Sequence, residues 1–205
     1  MAFPPAPWRM RGQAWLSVFR LPRPVDVLHP AGVYAVALVD YQPDSPLTYH
    51  ELLVARAVGR ARDRRLTITD IWVDSPDSRD GGRSLWAIPK HLAGFEHREQ
   101  RWGPLSRARW SVDLNGHTLL RARFVDASRL APRLPFRGGT WQPPIDDHVE
   151  PVATALSGSA RALPCWGAWD LDTNGPLGWL AGRRPVASFR MVDFAMSFGD
   201  GAPPD

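Results

Sequence analysis

The sequence predicts an α+β protein that is mostly β, folded as a single domain over residues 1–205 and built as a barrel or a two-layer sheet. Three observations lead there. Short runs of β-branched and aromatic residues, bounded by Gly, Pro, Asp and Asn, recur along the whole chain. Two of them, Val33–Val39 and Leu52–Val58, are apolar on both faces, as a strand enclosed on both sides must be. Only one stretch carries a good helix start. Apolar residues make up 44% of the chain, enough for a core, and Pro 21 with Gly 17 falls below the level of a disordered chain.

In chain order, strands are predicted near Ala14–Arg20, Val33–Tyr41, Tyr49–Val58, Leu66–Val73, Phe95–Arg101, Leu105–Leu114, Thr118–Asp126 and Val186–Phe198. Asn115-Gly116 marks a two-residue hairpin. Periodicity alone leaves a buried helix open for Glu51–Val58. The helix start is Ser75-Pro76-Asp77: a capping hydroxyl, a proline suited to the first turn, and an acid that complements the helix dipole. Gly81-Gly82 weakens helix propensity soon after, so a short helix ending before Pro89 is expected. The proline-rich Pro132–Pro151 reads as a long irregular connection covering a pocket mouth. Residues 1–7 and 199–205 read as frayed ends.

Charge narrows the function classes. The net charge is +4, but basic and acidic residues are interleaved, and the one dense run, Arg60 to Arg65, reads as a solvated turn. Nucleic acid is therefore not expected as a partner. Ten tryptophans, among them Trp141, Trp166, Trp169 and Trp179, sit among Gly, Pro and aliphatic residues, which favours core and pocket lining over base stacking. Apolar stretches are too short for a membrane span, and the N-terminus has no apolar leader, so a cytoplasmic protein is expected. A lone cysteine, Cys165, excludes an intrachain disulfide framework and reads as a small apolar side chain. Asp146-Asp147-His148 with Glu150 has the composition of a polar loop, and neither a metal nor another cofactor is expected.

One count is more informative. Of 25 basic residues, 24 are arginine and one is lysine, Lys90. Arginine replaces lysine as a solvated charge but never as a neutral amine attacking a carbonyl, because its pKa stays above 12. Lys90 follows a helix–loop and is flanked by Trp86, Ile88, Pro89, Leu92 and Phe95, with Arg83 and His91 as cationic neighbours. Desolvation is therefore expected to depress its pKa and expose the lone pair for Schiff-base chemistry. A chance survivor or a structural ammonium is the competing reading. Glu51 taken alone reads as a buried carboxylate tied to an arginine, and His50 beside it should point to the opposite face.

The segment Gly81-Gly82-Arg83-Ser84-Leu85-Trp86-Ala87-Ile88-Pro89-Lys90-His91-Leu92-Ala93 resembles the Gly-Arg-Glu…Pro-Lys-Lys-Leu segment of the acetoacetate decarboxylase superfamily. Pro46–Leu53 is similar to that family's glutamate-bearing strand. The resemblance runs from about Val33 to Phe95. It implies an antiparallel cone-shaped β-barrel, a homo-oligomer, a small-molecule carbonyl substrate and a lysine Schiff base, with Lys90 as the nucleophile and Glu51 organising the substrate end. Three departures stand out. His91 replaces the family's second lysine, Val36–Val39 is apolar where a second glutamate falls, and the family's N-terminal arginine meets Gly12, with Arg9 and Arg11 close by. Arg11 and His91 are the expected substrate-binding groups. The function expected is a lyase on a keto acid or related carbonyl compound with a sizeable apolar part. An aldolase-, dehydratase- or cyclase-type enzyme and a non-catalytic binding protein are the alternatives.

Overall fold

A computed structural model describes residues 3–58 and 65–200. Among these residues the strands are β1 (Trp8–Leu21), β2 (Gly32–Tyr41), β3 (Tyr49–Val58), β4 (Arg65–Val73), β5 (His91–Leu92), β6 (Gly94–Trp102), β7 (Leu105–Leu114), β8 (His117–Asp126), β9 (Arg133–Gln142), β10 (Val152–Pro164), β11 (Trp166–Leu171) and β12 (Ala187–Phe198). An α-helix, α1, spans Pro76–Trp86 between β4 and β5. Strands run in the order β3-β2-β1-β12-β10-β9-β4, and a β3–β4 pairing closes them into a barrel. A second, four-stranded sheet, β11-β8-β7-β6, packs outside it.

Two cores follow from the two-residue period of the strands. On β3, Leu52 and Val54 face the outer sheet, while Tyr49, Glu51, Leu53 and Ala55 face the barrel interior. On β2, Tyr34, Val36 and Leu38 face outward, and Ala37, Val39 and Tyr41 inward. The doubly apolar runs of the sequence are thus the barrel wall shared by both cores. Leu38 and Leu52 are fully buried there, and truncating either to alanine would cost about 2–5 kcal/mol.

Several sequence expectations need correction. The barrel is not wholly antiparallel: β4 runs parallel to β9 through Arg65↔Gly139 and Leu66↔Thr140. The connection expected over Pro132–Pro151 contains β9, a ten-residue strand paired antiparallel with β10. Proline disguises it, and the structure tolerates Pro135 because that half of β9 has a ladder partner on one side only. Strand β10 has no counterpart among the sequence expectations, because its Ser, Gly and Ala content gives little β signal. Within the segment expected to fray, Phe3 lies against the barrel cluster and the Trp8 indole donates to the Pro4 carbonyl at 2.9 Å, while Pro5, Ala6 and Pro7 are exposed. Trp169 and Trp179 do pack on the inter-sheet core, whereas Trp141 and Trp166 are exposed. Of the basic run, residues 60–64 lie outside the described residues. No helix among the described residues is long and apolar enough to cross a membrane.

The Asn115-Gly116 hairpin is present, with φ 52° and 81°, the left-handed pair that such a turn requires. Helix α1 starts as its sequence predicts: the Ser75 hydroxyl accepts from Ser78 N–H at 3.2 Å. It ends at Ala87, held left-handed at φ 53°, with Ala87 N–H bonded to the Arg83 carbonyl and Ile88 N–H to the Gly82 carbonyl. An L-residue there costs about 1 kcal/mol, offset because Ala87 is fully buried and its N–H satisfied. This reversal, followed by Pro89, turns the chain so that Lys90 faces back across the helix.

Candidate active site

Inside the barrel is a cavity of about 140 Å³, walled mainly by apolar side chains including Trp8, Met10, Leu53, Ile68, Trp86 and Ile88. Lys90 and Glu51 enter it from different elements: Glu51 from the inward face of β3, and Lys90 from the turn after α1. Both are buried, at 4% and 3% exposure. Lys90 Nζ donates to Glu51 Oε2 at 2.8 Å, to Ser78 Oγ at 3.0 Å and to Tyr49 Oη at 3.3 Å. Tyr41 Oη donates to the other carboxylate oxygen at 3.2 Å. All three ammonium protons therefore have partners.

The electrostatics depart from expectation. Burial is the largest single influence on Lys90 and pulls its pKa down. The Glu51 and Tyr49 charges and hydrogen bonds together outweigh burial, so the amine is held above its ordinary value rather than depressed. Tyr49 is pushed up to about 12, and Tyr41 well above its usual value, chiefly by burial. Both phenols are thus neutral near neutral pH, Tyr41 donating to Glu51 and Tyr49 accepting from Lys90.

Two glycines of α1 acquire a reason. A Cβ on Gly82 would stand 2.7 Å from Lys90 Cδ, and one on Gly81 would stand 2.6 Å from the Trp8 ring. Gly82 gives the lysine stem its path along the helix; its cost to helix propensity is the cost of placing the amine. Ser78 lies one turn earlier on the same helix face. Arg83, expected as a cationic neighbour of the amine, instead donates to the Lys90 carbonyl at 3.1 Å and forms a two-pronged pair with Asp146, both contacts 2.8 Å. Asp146 and His148 thus fasten the loop after β9 onto α1, His148 Nε2 lying 3.0 Å from the Arg83 and Ser84 carbonyls. No metal-binding cluster occurs among the described residues.

The structure brings Lys90 and Glu51 together but leaves Arg11 and His91 apart. Both are exposed, and neither lines the cavity. Arg11 alternates outward between Met10 and Gly12, and His91 takes the outward step after Lys90. Gly12 leaves no room for the family's arginine, since any Cβ would collide with the Asp40 carbonyl oxygen. Of the residues expected to desolvate Lys90, Trp86 and Ile88 do line the cavity. Leu92 is exposed, and Phe95 belongs to the inter-sheet core. Sequence reading missed Tyr41, Tyr49 and Ser78. Tyr49 shares the two-residue period of Glu51, and Ser78 the helical period of Gly82, so both signals were present. His50 does point away from Glu51, toward Asp74, Phe95 and Trp110. Cys165 is half-buried with its thiol pushed up to about 12 by burial, unsuited to a nucleophile.

Solved structures share this architecture. The acetoacetate decarboxylase of Legionella pneumophila is 14% identical with a TM-score of 0.66, over 100% of this chain and 90% of its own. An acetoacetate decarboxylase-like enzyme from Sphingomonas wittichii RW1 is 15% identical with a TM-score of 0.63, over 100% and 95%. The enduracididine biosynthesis enzyme MppR, complexed with the condensation product of pyruvate and imidazole 4-carboxaldehyde, is 15% identical with a TM-score of 0.62, over 98% and 90%. A comparison with curated protein sequences finds no match. The sequence model of the acetoacetate decarboxylase family matches residues 20–141, more than half of the 205-residue chain and the whole of the Lys90–Glu51 region. The chain belongs to the acetoacetate decarboxylase family.

Proposed function

We propose that the protein is a lyase that works through a Schiff base between Lys90 and a carbonyl substrate. The observation that carries this reading is the placement of the chain's one lysine, its ammonium shared by Glu51, Ser78 and Tyr49 at the wall of an apolar cavity. Because the resting pair is ammonium and carboxylate, the first step is transfer of a proton from Nζ to Glu51. The free amine attacks the carbonyl carbon and gives a carbinolamine. Glu51 returns its proton to the leaving hydroxyl, water departs, and a protonated imine remains beside the carboxylate. With a β-keto acid, the bond to the carboxylate carbon then breaks, carbon dioxide leaves, and its electron pair forms an enamine. Protonation at carbon and hydrolysis by water release the ketone and regenerate Lys90. Arg11 and His91 have no part in this scheme.

A second reading keeps the imine and changes the bond broken. Lys90 is the only cation lining the cavity among the described residues, and Glu51 holds a negative charge beside the reacting carbon. A substrate carboxylate there would face repulsion, which favours aldol- or dehydratase-type chemistry on an uncharged carbonyl compound. The structurally similar MppR holds the condensation product of pyruvate and imidazole 4-carboxaldehyde, so a barrel of this architecture accommodates a compound of that class.

Incubation with a β-keto acid or an aldehyde and borohydride should add one adduct, mapped to Lys90. The N-terminal amine, with a reference pKa of about 7.7–8.0, is the internal control. Lys90→Arg should remain folded and lose both the mapped adduct and turnover. Turnover retained by Lys90→Arg would exclude the Schiff base, and labelling confined to the N-terminus with every carbonyl tried, without turnover, would replace this reading with a noncovalent binding protein.

A further inference from the structure

We propose that Thr140, Gln142 and Thr154 form a neutral polar subsite on the inner barrel wall, which receives an uncharged hydrogen-bonding group at the far end of the substrate. The proposal rests on the Schiff-base reading for the reacting end only. Strands β9 and β10 pair with Thr140 opposite Thr154 and Gln142 opposite Val152. Their neighbours Trp141 and Ala153 are exposed, so by strand alternation the three polar residues face inward. Thr140 lines the cavity, as does Leu156, two residues beyond Thr154 on the same face. Exposures are 4% for Thr140, 2% for Thr154 and 0% for Gln142.

Each of these side chains is unpaired among the described residues. Thr140 Oγ1, Thr154 Oγ1 and both the Oε1 and Nε2 atoms of Gln142 lack a hydrogen-bond partner there. Buried polar atoms are ordinarily bonded, and isolated exceptions are few. Thr140 opens onto the cavity, and Thr154 and Gln142 adjoin it on the same inward face, so the three make up a concentrated set of unmet donors and acceptors.

Position and chemistry define the ligand class. Thr140 pairs with Leu66, which pairs with Ala57, six residues along β3 from Glu51. Thr140 is therefore set apart from Glu51 along the β3–β4 wall by Leu53, Ala55, Ile68 and Leu66, which line the same cavity. Two hydroxyls and one carboxamide both donate and accept but carry no charge. A hydroxyl, ketone or amide would satisfy them, whereas a carboxylate would be buried without a countercharge. The substrate class is thus a carbonyl compound with an apolar middle and a neutral polar terminus.

The test compares straight-chain methyl ketones from pentanone to nonanone with counterparts whose terminal methyl is replaced by hydroxyl. Quenching of the cavity tryptophans Trp8 and Trp86 reports binding, and borohydride trapping at Lys90 reports the imine. At the best chain length, the hydroxylated ketone should bind about tenfold tighter to the wild type. Thr140→Val and Gln142→Leu should abolish that preference, bind the plain ketone at least as well, and melt no lower than wild type. Equal binding of the two ketones at every length overturns the subsite, as does a preference that both variants retain. The wild-type comparison needs no variant, so a variant that fails to fold does not remove the test. A preference without an adduct at Lys90 sinks the Schiff-base reading and keeps the subsite. An adduct without a preference does the reverse, and failure of every ketone to bind removes both.

Discussion

Lys90 inside the barrel and Arg190 between the barrel and the outer sheet are both buried cations, but their surroundings differ in kind. Arg190 is 0% exposed, and its guanidinium lies 3.5 Å from the Trp15 ring centroid. It donates to Gln13 Oε1 at 2.6 Å and reaches Glu99 at 3.5 Å, while Nε and Nη1 have no hydrogen-bond partner among the described residues. Burial, above all, lowers its pKa. Lys90 has all three protons bonded, borders a cavity, and is held above its ordinary value by Glu51. Arginine serves as a permanent charge in a packed region, where its flat group stacks on an aromatic ring. The region with open space beside the cation is the one that uses lysine. Burial of a charge is therefore not the signature of a site; a transferable proton next to a cavity is.

The contrast predicts separable failures. Arg190→Met should be the most damaging to stability, because it leaves the Glu99 carboxylate and Gln13 with a lost partner. The expected loss is about 3 kcal/mol, a fall in Tm of about 6–12 °C, with Lys90 labelling intact below the melt. Loss of labelling in folded Arg190→Met protein would show the two regions to be coupled.

Glu51→Gln acts on the other cation and in the other direction. Removing the carboxylate charge leaves burial as the dominant influence, so the Lys90 pKa should fall. The pH midpoint of borohydride trapping should move down, while turnover declines for want of the proton acceptor. An unmoved midpoint would mean that Glu51 does not set the amine's protonation.

Gly82→Ala separates stability from placement. Alanine favours an ordinary helix interior by about 1 kcal/mol, but here its methyl meets the Lys90 stem. Trapping at Lys90 should slow by about tenfold in protein that is still helical by circular dichroism. Unchanged trapping would show that the lysine has a second path.

The smallest effect belongs to His97, stacked on Trp110 with centroids 4.1 Å apart. Burial, its main influence, lowers its pKa to about 4. A depressed histidine is neutral when folded and protonates in the unfolded chain first, so its contribution is present above about pH 6.5 and is lost as pH falls toward 4. His29 and His50, raised by their aspartates once burial is offset, act with the opposite sign: their contribution is full below about pH 6.5 and fades as pH rises through the folded values. His97→Phe keeps the stack and should flatten the fall in Tm between pH 6.5 and 4. An unchanged slope would place the acid sensitivity elsewhere.

Residue chemistry and local period were enough to pick out much of this molecule. The strand runs, the Ser75 cap and the two-faced wall of β2 and β3 are legible because each is a short-range pattern that burial enforces. Lys90 is distinctive because composition has removed every other lysine, and Glu51 comes with it only through the resemblance of Pro46–Leu53 to the family's glutamate-bearing strand. Tertiary structure alone decided the rest. Strand β9 forms despite Pro135 because β10 and β4 supply ladder partners distant in sequence. Arg11 and His91 face outward because a one-residue step in a strand reverses the side chain, whatever its chemistry. The sign of the Lys90 shift was not available from its apolar neighbours, because it depends on a carboxylate 2.8 Å away in space and 39 residues away in sequence. Burial is written locally in a sequence; the partner that opposes burial is brought by the fold.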